Sequence, residues 1–216
     1  MKVIVEKIKS LLTGRRQPGK KGRKSKGQSL VEIAIAFPVI IILLSGVVEF
    51  GFIINYYLSL LDATREAARF YSNLDPFNSD LSDNLTFYNG AADMVIDALE
   101  PRTSTDTTRK ITMDPTRDDV VVTVLSIANN NTIIRYPTCC GYSGYFQKFF
   151  NQPTRLTDAE IQARLVNGSP KTGVLIVEVF YGYHQVLNLP WLDPFLGDVT
   201  MLHAYTIMPL IAAEPQ

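Results

Sequence analysis

Gly27, Gln28 and Glu32 have a spacing that can do chemistry. Cutting the chain after Gly27 would give Gln28 a new, positively charged amine. Glu32 would then be the fifth residue of the shortened chain. In a helix those four steps are about one turn, roughly 6 Å of rise. An amine and a carboxylate would then stand on one side of the same helix. Glu32 also lies in the apolar run Leu30-Val31-Glu32-Ile33-Ala34-Ile35-Ala36-Phe37. An ionisable residue at the centre of a membrane helix costs about 2.5–3.5 kcal/mol on insertion scales. An acid in such a stretch is a functional candidate by default.

The other chemically capable residues are fewer. Glu49 is the only charge between residues 33 and 54 and lies near the outer end of that apolar stretch, where a membrane-interface role is expected. Cys139 and Cys140 are the only cysteines, and they are adjacent. Three states stay open for them: a vicinal disulfide, which restrictive geometry allows only as a strained ring, two reduced thiols, or a bond to another chain. With only His184 and His203 as further soft ligands, zinc is not expected. Asp114, Asp118 and Asp119 lack the spacing of a calcium loop. The aromatic run Tyr142, Tyr145, Phe146, Phe149 and Phe150 reads either as a satellite core or as an exposed contact patch. No nucleophile motif, phosphate loop or metalloprotease signature is found. The expectation is therefore a non-enzyme with no catalytic residues, no metal and no cofactor.

What positions these residues is a sharp division of charge. The 216-residue chain is formally neutral, with 21 basic and 21 acidic residues. Ten of the basic residues and only one acid, Glu6, lie in residues 1–27, giving +9 there and −9 in the remainder. Such a leader can mean nucleic-acid binding, but it abuts an apolar span, and positive charge beside a span stays cytoplasmic. No nucleic-acid partner is expected. Residues 33–54 form the span, 22 residues or about 33 Å of helix, enough for the hydrocarbon core. An ordinary secretory signal fits less well, because the basic region is long and no small-x-small cleavage site follows.

Along the chain, residues 1–12 read as a short amphipathic helix and residues 13–27 as a flexible linker. From Leu30 a helix should run to about Ser72, with Pro38 loosening one turn. Asn55, Ser59, Asp62, Glu66 and Arg69 make its polar stripe. Tyr57, Leu60, Leu61, Thr64, Ala68 and Tyr71 make the opposing one. Residues 73–88 read as a loop, 91–99 as a helix and 119–127 as a strand. Thr157-Asp158-Ala159-Glu160 is a capping box opening a helix over 158–167. Strands are expected over 173–187 and 200–208, paired as an antiparallel hairpin with a long loop. The implied domains are a leader (1–27), an extended N-terminal helix (28–72) and an extracytoplasmic α+β domain (73–216).

Together these features resemble the TadE-like family of pseudopilins, which belong to tight-adherence (Flp, type IV-like) pilus systems. The residues that carry the resemblance are Gly27-Gln28-Ser29-Leu30-Val31-Glu32 through Phe37-Pro38, then Gly46-Val47-Val48-Glu49-Phe50-Gly51, then Ala63-Thr64-Arg65-Glu66-Ala67-Ala68-Arg69. The tail is similar too, with Val177-Glu178-Val179, a Leu-Pro loop and a last strand ending near Met208. Pro209 stands where relatives often carry Arg. The resemblance implies processing by a prepilin peptidase with Gly27 as the last leader residue. It also implies partners among other pilin or pseudopilin subunits and the assembly machinery, and a place in the inner membrane in contact with lipid. In pilins the acid at the fifth mature position neutralises the amine of a neighbouring subunit, so Glu32 is the expected assembly residue.

The expected fold is therefore α+β and pilin-like: a long N-terminal transmembrane helix packed on an antiparallel β-sheet, with a single membrane span. The N-terminus is expected in the cytoplasm and the C-terminal domain outside. The expected function is that of a minor subunit in a pilus for secretion or adhesion. The rival is an unprocessed single-pass envelope protein acting as adhesin, receptor or scaffold. The two differ at the Gly27–Gln28 bond.

Overall fold

The computed structural model describes residues 26–100, 110–128, 130, 132–164 and 172–213. The amphipathic helix expected over 1–12, and nearly all of the linker after it, lie outside these residues. The chain divides into two compact units, and the division falls between Leu43 and Leu44.

Helix α1 (Lys26–Tyr71) is 46 residues long and runs without interruption through Pro38. Its apolar window has a mean hydropathy of 2.6 and is not buried, and among the described residues α1 alone is long and apolar enough to cross a membrane. Within the first unit, Leu30, Val31, Ile33, Ile35, Phe37 and Leu43 are all exposed. That is the surface lipid would cover.

In the second unit one face of α1 is part of the core. Leu60, Ala63, Thr64, Ala67 and Ala68 are buried, while Asn55, Asp62, Glu66 and Arg69 are exposed. The polar stripe is where its spacing put it. Tyr57, expected on the buried side, is exposed instead, and its neighbour Tyr56 packs against the core. The small side chains of Ala63, Ala67 and Ala68 suit close approach to the sheet.

Helix α2 (Leu85–Leu99) begins six residues earlier than expected. Its N-cap, Asn84, accepts from the backbone N–H groups of Thr86 and Phe87, satisfying two of the helix's orphan donors. Shortly after it, Thr86, Phe87, Tyr88, Asn89 and Gly90 have weak helix propensity and hid the start.

Strands β1 (Asp119–Ile127), β2 (Ile133–Tyr136), β3 (Phe146–Gln147), β4 (Thr172–Tyr183) and β5 (Thr200–Pro209) form one antiparallel sheet. Its order is β2-β1-β4-β5, with β3 also pairing with β1. All nine residues of β1 are buried, because both faces of the sheet are covered. On one face α1 and α2 share a core with Val120, Val122, Val124, Val177 and Val179. On the other, Leu125, Ile127 and Ile176 pack with Leu156 and Ile161. Leu156 precedes and Ile161 lies within a short helix, α3 (Asp158–Gln162), opened by the capping box of Thr157 and Glu160. Strands β4 and β5 are the expected hairpin, joined by a long loop with one helical turn, α4 (Asp193–Leu196).

Candidate functional site

Gly27 and Gln28 lie in the first turn of α1. Among the described residues no atom comes within 4 Å of where a Cβ on Gly27 would sit, so they leave room for a larger residue there. Glu32 is exposed one turn further on, on the helix that also exposes Leu30, Val31 and Ile33. Gln28 and Glu32 are thus one helical turn apart on α1.

Glu49 is different. Its side chain is fully buried. One carboxylate oxygen accepts from the Tyr183 hydroxyl at 2.5 Å and from the Val186 backbone N–H at 2.8 Å. The other accepts from the Leu187 N–H at 3.0 Å. Strand β4 was expected to run to residue 187 but ends at Tyr183, and the chain after it turns its N–H groups onto Glu49. This is how a buried charge is tolerated: donors replace the water it lost. Burial, and then Glu49 itself, raise the Tyr183 phenol above its ordinary value, so it stays protonated and donates. Tyr56 meets the Tyr183 ring edge-on at 5.2 Å and stacks on Tyr181 at 5.8 Å. Helix α1 is thus fixed to the end of β4 by one carboxylate and an aromatic cluster. An interfacial acid was legible at residue 49; its partners, 134 or more positions away, were not.

A further buried acid was not marked out as a site by the sequence. Glu178 in β4 is fully buried. It accepts from the Arg155 N–H at 3.1 Å and pairs with His203 Nε2 at 2.9 Å; the Thr154 hydroxyl also bonds to it. The ring of His203 stacks between Phe180 and Tyr205. The signal available was a lone acid inside the apolar run of β4.

The remaining candidates have structural occupations. Cys139 and Cys140 stand as free cysteines with their sulfurs 2.7 Å apart. The Asp83 carboxylate holds the N–H groups of Thr138 and Cys139. The neighbouring Cys140 thiol, then burial, push the Cys139 thiol up to about 11. Asp119 accepts from the backbone of Phe149, Asn151 and Gln152, and Asp118 from Gly182, Asp114 and Arg117. In the aromatic run, Phe146 is buried and Tyr142 and Phe149 pack on the core, whereas Phe150 is exposed and stacks on Tyr142. Most of that run is core rather than contact patch.

Residues 27–69 match the family model described as TadE-like protein. The match begins at Gly27 and ends two residues short of the end of α1, so it covers the helix, including Glu32 and Glu49, and none of the sheet. No curated protein and no solved structure matches the chain. The match suggests involvement in a tight-adherence pilus system and association with its components. The apolar helix and the match together point to a membrane-anchored protein.

Proposed function

We propose that this chain is a minor pilin-like subunit, a pseudopilin, of a tight-adherence pilus. It is made as a precursor, cut after Gly27 by a prepilin peptidase, and held in the inner membrane by α1. The basic leader stays in the cytoplasm and the sheet domain lies outside. The new amine of Gln28 and the Glu32 carboxylate of a neighbouring subunit then pair within the membrane and set the register between helices. The role is one of assembly and not of catalysis. The observation that carries the reading is the family match starting at Gly27 on a helix that is apolar, exposed and continuous from Lys26. Support also comes from Glu49, which builds the sheet domain onto the same helix, so that movement of the helix into an assembly would carry the domain with it.

The test is N-terminal sequencing of the protein isolated from membranes, with and without an active prepilin peptidase. The expected N-terminus is Gln28 when the peptidase is active, and Gly27→Leu should abolish the cut while leaving the chain folded. The open space around Gly27 makes the second part clean. An N-terminus upstream of Gln28 in cells with active peptidase would favour the unprocessed envelope protein instead.

A further inference from the structure

We propose that the β4–β5 connection, residues 184–199, is an interfacial membrane anchor that seats Trp191 in the outer leaflet beside α1. This rests on the reading of α1 as a membrane span. The indole N–H of Trp191 donates to the Ser45 hydroxyl at 3.1 Å, and the same connection donates twice to Glu49. Two points on the loop are therefore tied to α1 at residues 45 and 49. Around those points the helix is bare and apolar, with Val47, Val48, Phe50 and Ile54 exposed.

Counted along α1, the loop lies at lipid depth. From Leu30 to Glu49 is about 30 Å of helix at 1.5 Å per residue, the thickness of a hydrocarbon core. A bilayer that begins at Leu30 ends near Glu49, and Ser45 then lies about 6 Å below that boundary. The loop is suited to such a place. It exposes Val186, Trp191 and Val199 and carries Leu189-Pro190-Trp191-Leu192. Trp is the residue of membrane–water interfaces because its ring is apolar and its N–H needs one partner, which Ser45 supplies. The loop's charges are Asp193 and Asp198, which border a polar cleft with His184, Gln185 and Asn188. Attraction to anionic headgroups is therefore no part of the binding, which comes from apolar burial continuous with the span.

Trp191 is the only tryptophan in the chain, so the native protein carries its own probe. The full chain is reconstituted in phosphatidylcholine vesicles containing lipids brominated either near the headgroup or deep on the acyl chain. The expected result is that Trp191 loses more emission to shallow than to deep bromine, is shielded from aqueous iodide, and behaves the same when anionic lipid is added. Quenching by iodide with no loss to either bromolipid overturns the anchor. Shielding from both that appears only at high protein-to-lipid ratio also overturns it, because a second copy would then cover the ring. Phe37→Trp in a Trp191→Phe background reports on α1 itself. Its loss of emission to deep bromine upholds the span whatever Trp191 does. Failure of that probe removes the span, and the anchor with it.

Discussion

The carboxylate of Glu49 and the hydroxyl of Tyr183 meet at 2.5 Å, although 134 positions separate them in the chain. Neither side chain is open to solvent. One belongs to the helix that carries the family match and the other to the sheet that does not. This contact joins the helix that carries the family match to the sheet domain. A charged acceptor is stronger than a neutral one, and here it also fixes where β4 ends.

Removing the acceptor should therefore hurt more than removing one donor. Glu49→Ala leaves the Tyr183 hydroxyl and two backbone N–H groups without their partner. Each buried donor so stranded costs about 1–3 kcal/mol, so the loss should reach several kcal/mol. Tyr183→Phe removes a single donor, at about 1.5–3 kcal/mol for a hydrogen bond to a charged group. Thermal unfolding of the full chain in detergent measures both. Equal destabilisation by the two changes would contradict the clamp. The pH dependence has a definite sign. Because Tyr183 is raised in the folded chain, its contribution is complete below the ordinary phenol value of about 10 and declines as pH climbs from there towards the folded value.

The cysteine pair makes a kinetic prediction. The Cys140 thiol is the first cause of the raised Cys139 value, and only the thiolate is a good nucleophile. Under reducing conditions, Cys140→Ala should let Cys139 ionise at lower pH. Iodoacetamide should then label Cys139 faster near neutral pH than it labels Cys139 in the parent, as read by mass spectrometry. An unchanged or slower rate would mean that Asp83 and burial, not Cys140, hold the thiol up.

How much was legible follows from which interactions are local. The helix from Leu30 onward, the strand over 119–127 and the capping box at Thr157 are written in short-range periodicity and were readable. So was the pairing of the last two strands. Strands β2 and β3 were not, because four and two residues carry too little alternation to count. Glu32 was readable as an acid out of place. Glu49 was only half readable: its residue type marked it, but its role depends on Tyr183, Val186 and Leu187, brought to it by the turn at the end of β4. Tyr57 and Tyr56 exchanged places because a face read one position off on a helix still looks periodic.

Orientation is open to a direct check. Ten basic residues lie in 1–27, and the acidic remainder follows the span, so the sheet domain should be outside. Protease added to spheroplasts should remove material beyond about residue 72. Full protection until the cells are lysed would reverse the orientation.

Glu32→Gln tests the central claim most directly. The change keeps size and polarity and removes only the charge. Insertion should be unharmed or improved, because an ionised group in hydrocarbon is costly. Pairing with a neighbouring subunit's amine would be lost, and a buried charge left without its partner costs about 3–5 kcal/mol, a factor of several hundred or more in association. The measurement is co-purification of the Glu32→Gln chain with pilus components from membranes in which it is stable and correctly inserted. The predicted result is normal membrane level with loss from the assembly. Normal co-purification together with normal pilus formation would contradict the account and leave Glu32 as a tolerated acid at the inner face of the membrane.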